Sequence, residues 1–162
     1  MAVLAGAQAA GLRLNGTPSM PVGLWRVAEA HAPLRRGEVV AVCPPDTEPV
    51  RLGAKRGYIP AGNCLGGYEP LVKPIAATAG DVVVISTAGV AVNGQLVPGA
   101  ALLAQDSAGR PLQPIPAGAY PVASGELWVL SGHDPRSFDS RYFGPVPEAN
   151  VQGIARPVWV LR

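Results

Sequence analysis

Short runs of β-branched and apolar residues, each closed by glycine or proline, set the strongest limit on how this chain can fold. VGLWRVA (22–28), GEVVAVC (37–43), YEPLVKPI (68–75), GDVVVIS (80–86), GVAVNGQLV (89–97), ELWVLS (126–131) and VQGIARPVWVL (151–161) are each about one strand long. Asn93-Gly94 falls between alternating apolar residues, the strongest short-range hairpin signal. Pro70 and Pro74 block helix over 68–75 and push their predecessors toward extended backbone. The 20 glycines and 18 prolines therefore act as punctuation, and a hydrophobic fraction of 48% argues for a packed core rather than disorder. The reading is a mainly β fold forming a single unit over 1–162. Its one interior helix candidate lies around Val50 to Tyr58, and an irregular Pro/Gly/Ala-rich excursion covers 99–125.

Charge excludes some partners. Net charge is +2, and the small basic clusters Arg35-Arg36 and Lys55-Arg56 lack the interleaved aromatics of a nucleic-acid platform, so no nucleic acid is expected. The opening segment MAVLAGAQAAGLRL is too short to span a bilayer, which needs roughly 20 apolar residues, and it lacks the positive start of a signal peptide. It reads as a short helix or as a stub left by an anchor. Cys43 and Cys64 have no Cys or His partner at zinc spacing, so no metal or other cofactor is expected. They are two separate thiols or, in an oxidising compartment, a disulfide.

Ser19, in NGTPSMPVG, is a turn residue by composition and becomes a nucleophile only if the chain supplies a base. One candidate base is His133, with Asp134 and Asp139 nearby in SGHDPRSFDSRYFGPVP; His31 is the other histidine. The alternative is a lysine. Lys55 sits beside Arg56 in a polar stretch. Lys73 shares one face of an extended segment with Leu71 and Ile75, where desolvation would lower its pKa.

The order of SMP (19–21), LVKPIAATAGDVVVISTAGVAVNGQ (71–95) and SGHDPRSFDSRYFGPVP (131–147) resembles three sequence boxes of the signal peptidase I family, S26. Met20-Pro21-Val22-Gly23, Lys73-Pro74 and Gly132-His133-Asp134-Pro135 are most similar to its conjugative-transfer, TraF-type branch. The resemblance spans about residues 15–156. It implies a signal-peptidase-like β-sheet or barrel core and a serine endopeptidase working without cofactor through a Ser19/Lys73 dyad. Ser19 would attack, neutral Lys73 would serve as general base, and the Ser19 amide with the Thr17 hydroxyl would form the oxyanion hole. Ser137 would orient the lysine, Asp139 and Arg141 would form a supporting ion pair, and His133 and Asp134 are possible additions. An extended substrate would lie beside Tyr68, Leu71 and Val72. The implied substrate is an exported precursor, a conjugative pilin, cut at the periplasmic face of the inner membrane. That location also implies a Cys43–Cys64 disulfide and makes residues 1–12 the continuation of an N-terminal anchor. Leu24 and Trp25, close to Ser19, would touch the bilayer surface or enter the core. Two rival readings are a LexA-like self-cleaving Ser/Lys protein and a non-catalytic β-rich assembly module.

Overall fold

The computed structural model describes residues 11–161. Its strands are β1 (Leu12–Asn15), β2 (Gly23–Ala28), β3 (Val39–Val42), β4 (Leu71–Thr78), β5 (Val82–Ser86), β6 (Gly89–Val92), β7 (Gln95–Leu96), β8 (Gly118–Pro121), β9 (Glu126–Val129), β10 (Val146–Pro147) and β11 (Val151–Val160). They form a seven-stranded sheet, ordered β1-β2-β11-β3-β4-β9-β10, and a four-stranded sheet, ordered β7-β6-β5-β8. The class is mainly β, as read from the sequence. All the apolar runs identified there contain strands, and Asn93 and Gly94, both at positive φ, turn β6 into β7.

Helix α1 (Glu48–Lys55) starts before the stretch expected from sequence, with proline in its first turn where a missing amide costs nothing. It ends before Tyr58 rather than reaching it. A second helix, α2 (Ser140–Phe143), and the short strands β8 and β10 carried no sequence signal. The irregular excursion read over 99–125 contains strand β8 at Gly118–Pro121, and the remainder is loop and turn apart from an isolated bridge between Gln105 and Pro111. The expectation for residues 1–12 falls mainly outside the described residues; Leu12 onward is not helical but joins β1, whose pairing with β2 overrides local propensity. No helix among the described residues is long and apolar enough to cross a membrane.

Two cores follow from strand alternation. On β9, Leu127 and Val129 face a core shared with Val40, Val42, Ile75 and Ile154, while Trp128 faces a second one with Val83, Ile85 and Val90 of the smaller sheet. A smaller cluster of Met20, Trp25 and Ala155 sits under the β1–β2 connection. Trp25 is thus a core residue, not a surface one.

Candidate active site

Ser19 lies in the loop between β1 and β2, and that loop is organised by Asn15. The Asn15 amide Nδ2 donates to the carbonyls of Thr17 (3.0 Å), Met20 (3.0 Å) and Pro21 (3.1 Å), while its Oδ1 accepts from the Thr17 hydroxyl at 3.1 Å. Met20, next to the serine, packs against Trp25, and the Trp25 indole donates to the Pro21 carbonyl at 3.0 Å. The loop is therefore held from within and from below. Ser19 is 8% exposed, and its Oγ lies 3.0 Å from Thr17 Oγ1, where either hydroxyl can donate.

Lys73 comes from β4, on the same buried face as Ile75, and is 3% exposed. Among the described residues its amine makes no salt bridge. Burial lowers its pKa from 10.5 to about 8; the nearby carboxylates of Asp139 and Asp134 pull it up and the Arg141 guanidinium pulls it down. That shift leaves roughly a tenth of the amine neutral at pH 7 and about half at pH 8, and the neutral amine is the state a general base requires.

Beneath these two residues lies the 131–141 segment. Asp139 caps α2 and forms a two-point ion pair with Arg141, Nε to Oδ1 and Nη2 to Oδ2 both at 2.8 Å, with both side chains 0% exposed. The guanidinium also donates to the carbonyls of Ser131 (3.2 Å), Ser137 (3.0 Å) and Ala101 (2.9 Å), so the buried charge is fully partnered. Ser131 joins this pair to the serine loop: its amide donates to Asp139 Oδ2 at 3.1 Å and its hydroxyl donates to the Ser19 carbonyl. The Ser137 hydroxyl is buried and, among the described residues, has no hydrogen-bond partner.

A groove of about 530 Å³ runs over the site, lined by Thr17, Ser19, Leu71, Val72, Lys73, Asp134 and Ser137. One wall is an unpaired strand edge. β3 pairs with Leu71–Pro74 and β9 with the later half of β4, leaving the earlier half bonded on one side only. The Ile75 amide donates toward β3, to Glu38, and the Pro74 carbonyl accepts from Leu130 on the opposite side. By alternation the Val72 N–H and C=O point away from β3, on the unpaired side of β4.

Two residues singled out from sequence are not brought to the groove. Tyr68 is buried in the core and its hydroxyl donates to Asp46 Oδ1 at 3.1 Å, because the chain turns before β4 begins. His133 is exposed and takes part through its backbone amide, which donates to Ser131 Oγ at 3.2 Å; the Gly-His-Asp-Pro turn leaves its ring outside the groove. A Ser19/His133 pair is therefore not assembled. Asp139 and Arg141 lie under the groove rather than in its lining. Cys43 and Cys64 are joined as a disulfide. No group of His, Cys, Asp and Glu side chains able to hold a metal occurs among the described residues.

Sequence reasoning missed Asn15 and Ser131. The Asn-Gly-Thr order of an Asx turn is a usable signal for the first. The second had none, since its partners are distant in the chain.

Residues 5–160 match the family model described as signal peptidase, peptidase S26. The chain is 42% identical over 148 residues to a probable conjugal transfer protein TraF of Sinorhizobium fredii (strain NBRC 101917 / NGR234), covering 91% of this chain and 77% of that one. It is 40% identical over 154 residues to a plasmid transfer protein TraF of Escherichia coli, covering 95% and 85%. A conjugal transfer protein TraF of Agrobacterium tumefaciens (strain 15955) is 40% identical over 158 residues, covering 98% and 88%. Among solved structures, a signal peptidase I of Enterococcus faecalis V583 superposes with a TM-score of 0.41 at 21% identity, covering 78% of this chain and 98% of that one.

Proposed function

The chain belongs to the signal peptidase S26 family, and from that premise we propose that it is a serine endopeptidase in which Ser19 and Lys73 cut an exported precursor. The observation that carries this reading is a buried lysine that makes no salt bridge among the described residues, sharing one groove with a buried serine and with a hydroxyl, Ser137, that has no hydrogen-bond partner among them.

The neutral Lys73 amine takes the proton from Ser19 Oγ as that oxygen attacks the scissile carbonyl. The oxyanion is stabilised by the Ser19 amide and by the Thr17 hydroxyl, which turns from Asn15 toward the new charge. The ammonium then gives its proton to the leaving amine, an acyl ester remains on Ser19, and Lys73 activates the water that releases it. Ser137 accepts from the amine and aims it at Ser19. The Asp139–Arg141 pair fixes the Ser131 and Ser137 carbonyls beneath.

The substrate enters as an added strand on the free edge at Val72, with small side chains before the cut packing on Leu71 and Val72. A conjugative pilin precursor fits the transfer-protein names of the relatives. The Cys43–Cys64 disulfide supports an exported, oxidising location. Membrane-surface contact is supported by an apolar row across three strands. Leu14, Leu24 and Trp159 are register partners, with Leu14 74% and Trp159 63% exposed, beside the Ser19 loop.

The test is cleavage of a pilin-precursor peptide with a small-x-small junction by the parent chain, Ser19→Ala and Lys73→Ala in mild detergent. Turnover by the parent alone is expected. Equal turnover by all three proteins overturns the dyad.

A further inference from the structure

The groove does not stop at the dyad. It continues past the start of β4 to a wall made by the irregular excursion, where Tyr58, Asp106, Leu112, Phe138 and Tyr142 join its lining. The excursion folds there into a tight loop: Gln105 bridges Pro111, the Leu112 amide donates to Ala104 O at 2.8 Å, and the Asp106 amide donates to Arg110 O at 3.0 Å.

Asp106 fastens this loop to the rest of the molecule. Its carboxylate accepts from the Tyr58 hydroxyl, from Arg110 Nε at 2.6 Å, and from the amides of Ala108 (2.9 Å) and Arg110 (2.8 Å). The Arg110 guanidinium lies 5.5 Å over the Tyr58 ring, and Arg56 donates to the Pro111 carbonyl at 2.6 Å. On the other side the Ile115 amide donates to Arg141 O at 2.9 Å. Aromatic rings form the floor: Tyr58 packs on Phe138 at 5.3 Å, and Phe138 stacks on Tyr142 at 5.4 Å.

These contacts make a built wall rather than a loose loop. The charge of Asp106 is matched by Arg110, so Tyr58, Phe138 and the Leu112 side chain line the wall beside a carboxylate that is already paired. The wall adjoins the chain that leads into the open strand edge: the Glu69 amide donates to the Pro60 carbonyl at 2.9 Å, two residues from Tyr58, and all three line the groove. From Lys73 back to Glu69 the chain runs four residues, about 13 Å at roughly 3.3 Å each, so a strand laid on Val72 reaches the wall about four residues from the scissile carbonyl.

We propose that Tyr58, Leu112 and Phe138 form a distal subsite that takes a large apolar side chain of the precursor, about four residues from the bond to be cut. The assignment rests on the peptidase reading for its substrate, but it is a statement about binding and is read without turnover. The excursion thereby gains a role: it sets the sequence requirement of the site beyond the small residues at the cut.

The experiment measures Kd on the Ser19→Ala protein for small-x-small peptides carrying Ala, Leu, Phe or Lys, one position at a time, three to five residues either side of the cut. Parent turnover of the same peptides is followed in parallel. One position is expected to favour Leu or Phe over Ala and Lys by about ten-fold, the effect of burying one larger apolar side chain. Adding Leu112→Ala is expected to bring that ratio to within about two-fold of unity. Leu112→Gln, which keeps the side-chain length, does the same, and melting curves confirm that both variants are folded. Apolar preference in binding without parent turnover upholds the subsite and removes the peptidase reading. Turnover with a flat series overturns the subsite alone, as does a preference that survives both Leu112 variants. Neither binding nor turnover overturns both.

Discussion

The Ser131 hydroxyl donates to the main-chain carbonyl of Ser19, 112 residues away, and its own amide donates to Asp139 at 3.1 Å. The Ser19 loop is thus tied to the buried ion pair through one small side chain. Ser131→Ala leaves a buried carbonyl without a donor, which costs about 1–3 kcal/mol. Because that carbonyl belongs to the proposed nucleophile, the loss is expected chiefly in kcat, by roughly 10–100-fold at nearly constant KM, the range set by the same free energy. Steady-state kinetics beside a melting curve separate the two effects. A fall in melting temperature with unchanged kcat reduces Ser131 to a packing residue.

The proposed base is the Lys73 amine, whose pKa burial lowers to about 8. Below that pH only the deprotonated fraction can act, roughly a tenth at pH 7. Log(kcat/KM) is expected to climb with unit slope up to about pH 8 and then level. Lys73→Arg keeps a positive charge at every accessible pH and is expected to lose about 10²–10⁴ in rate. A flat profile, or an active arginine variant, removes lysine from the mechanism.

The same burial carries a stability cost with a definite sign. An unfolded lysine titrates near 10.5 and the folded one near 8, so between those values the unfolded chain holds a proton that the folded one has lost. Stability from this group therefore rises with pH across that window, and its full penalty, about 3 kcal/mol at about 1.36 per unit, applies below it. Lys73→Met, of similar volume, is expected to raise the melting temperature at pH 7 by roughly 5–10 °C. The difference between parent and variant melts should shrink from pH 8 to 10.5, and taking the difference cancels the tyrosines. A variant less stable than its parent at pH 7 contradicts the desolvation account.

How much of the fold and the site is legible in the sequence depends on range. Strands with period-two alternation, such as 82–86 and 89–92, and the Asn93-Gly94 turn are set by neighbours in sequence and can be read there. The buried face of Lys73 is legible for the same reason, since Leu71, Lys73 and Ile75 alternate with Val72 and Pro74. Strand β1 is not, because weakly apolar residues become a strand only by pairing with β2. Proximity to Lys73 suggests a substrate-side position for Tyr68, yet a turn buries it against Asp46. Ser131 and the Tyr58–Asp106 clasp depend on contacts across long stretches of chain, and no local pattern encodes them.

Membrane contact is testable through the row formed by Leu14, Leu24 and Trp159 on adjacent strands. An exposed indole flanked by leucines favours the interfacial zone of a bilayer. Trp159→Ser is expected to weaken association with anionic phospholipid vesicles by about ten-fold, the equivalent of about 1.4 kcal/mol of lost apolar burial. Vesicle co-sedimentation reads the change. Equal binding by parent and variant moves the contact to another surface.

The Cys43–Cys64 disulfide joins the end of β3 to the loop that leads into β4. That loop supplies Pro60, Glu69 and Pro70 to the groove, while the Ser19 loop and Arg141 are held by separate hydrogen bonds. Closing a loop of this size stabilises by about 3 kcal/mol in the chain-entropy model. Replacing both cysteines with serine should therefore lower stability by about 2–4 kcal/mol and loosen the edge that receives the substrate strand. Ser19 and Lys73, the proposed dyad, are left in place. KM is expected to rise several-fold, about 3–10, with kcat falling less than about two-fold, since the lost order is in binding rather than in chemistry. Denaturant titration and steady-state kinetics on the double variant check both parts. If kcat collapses while KM holds, the loop supports Lys73 rather than the open edge at Val72.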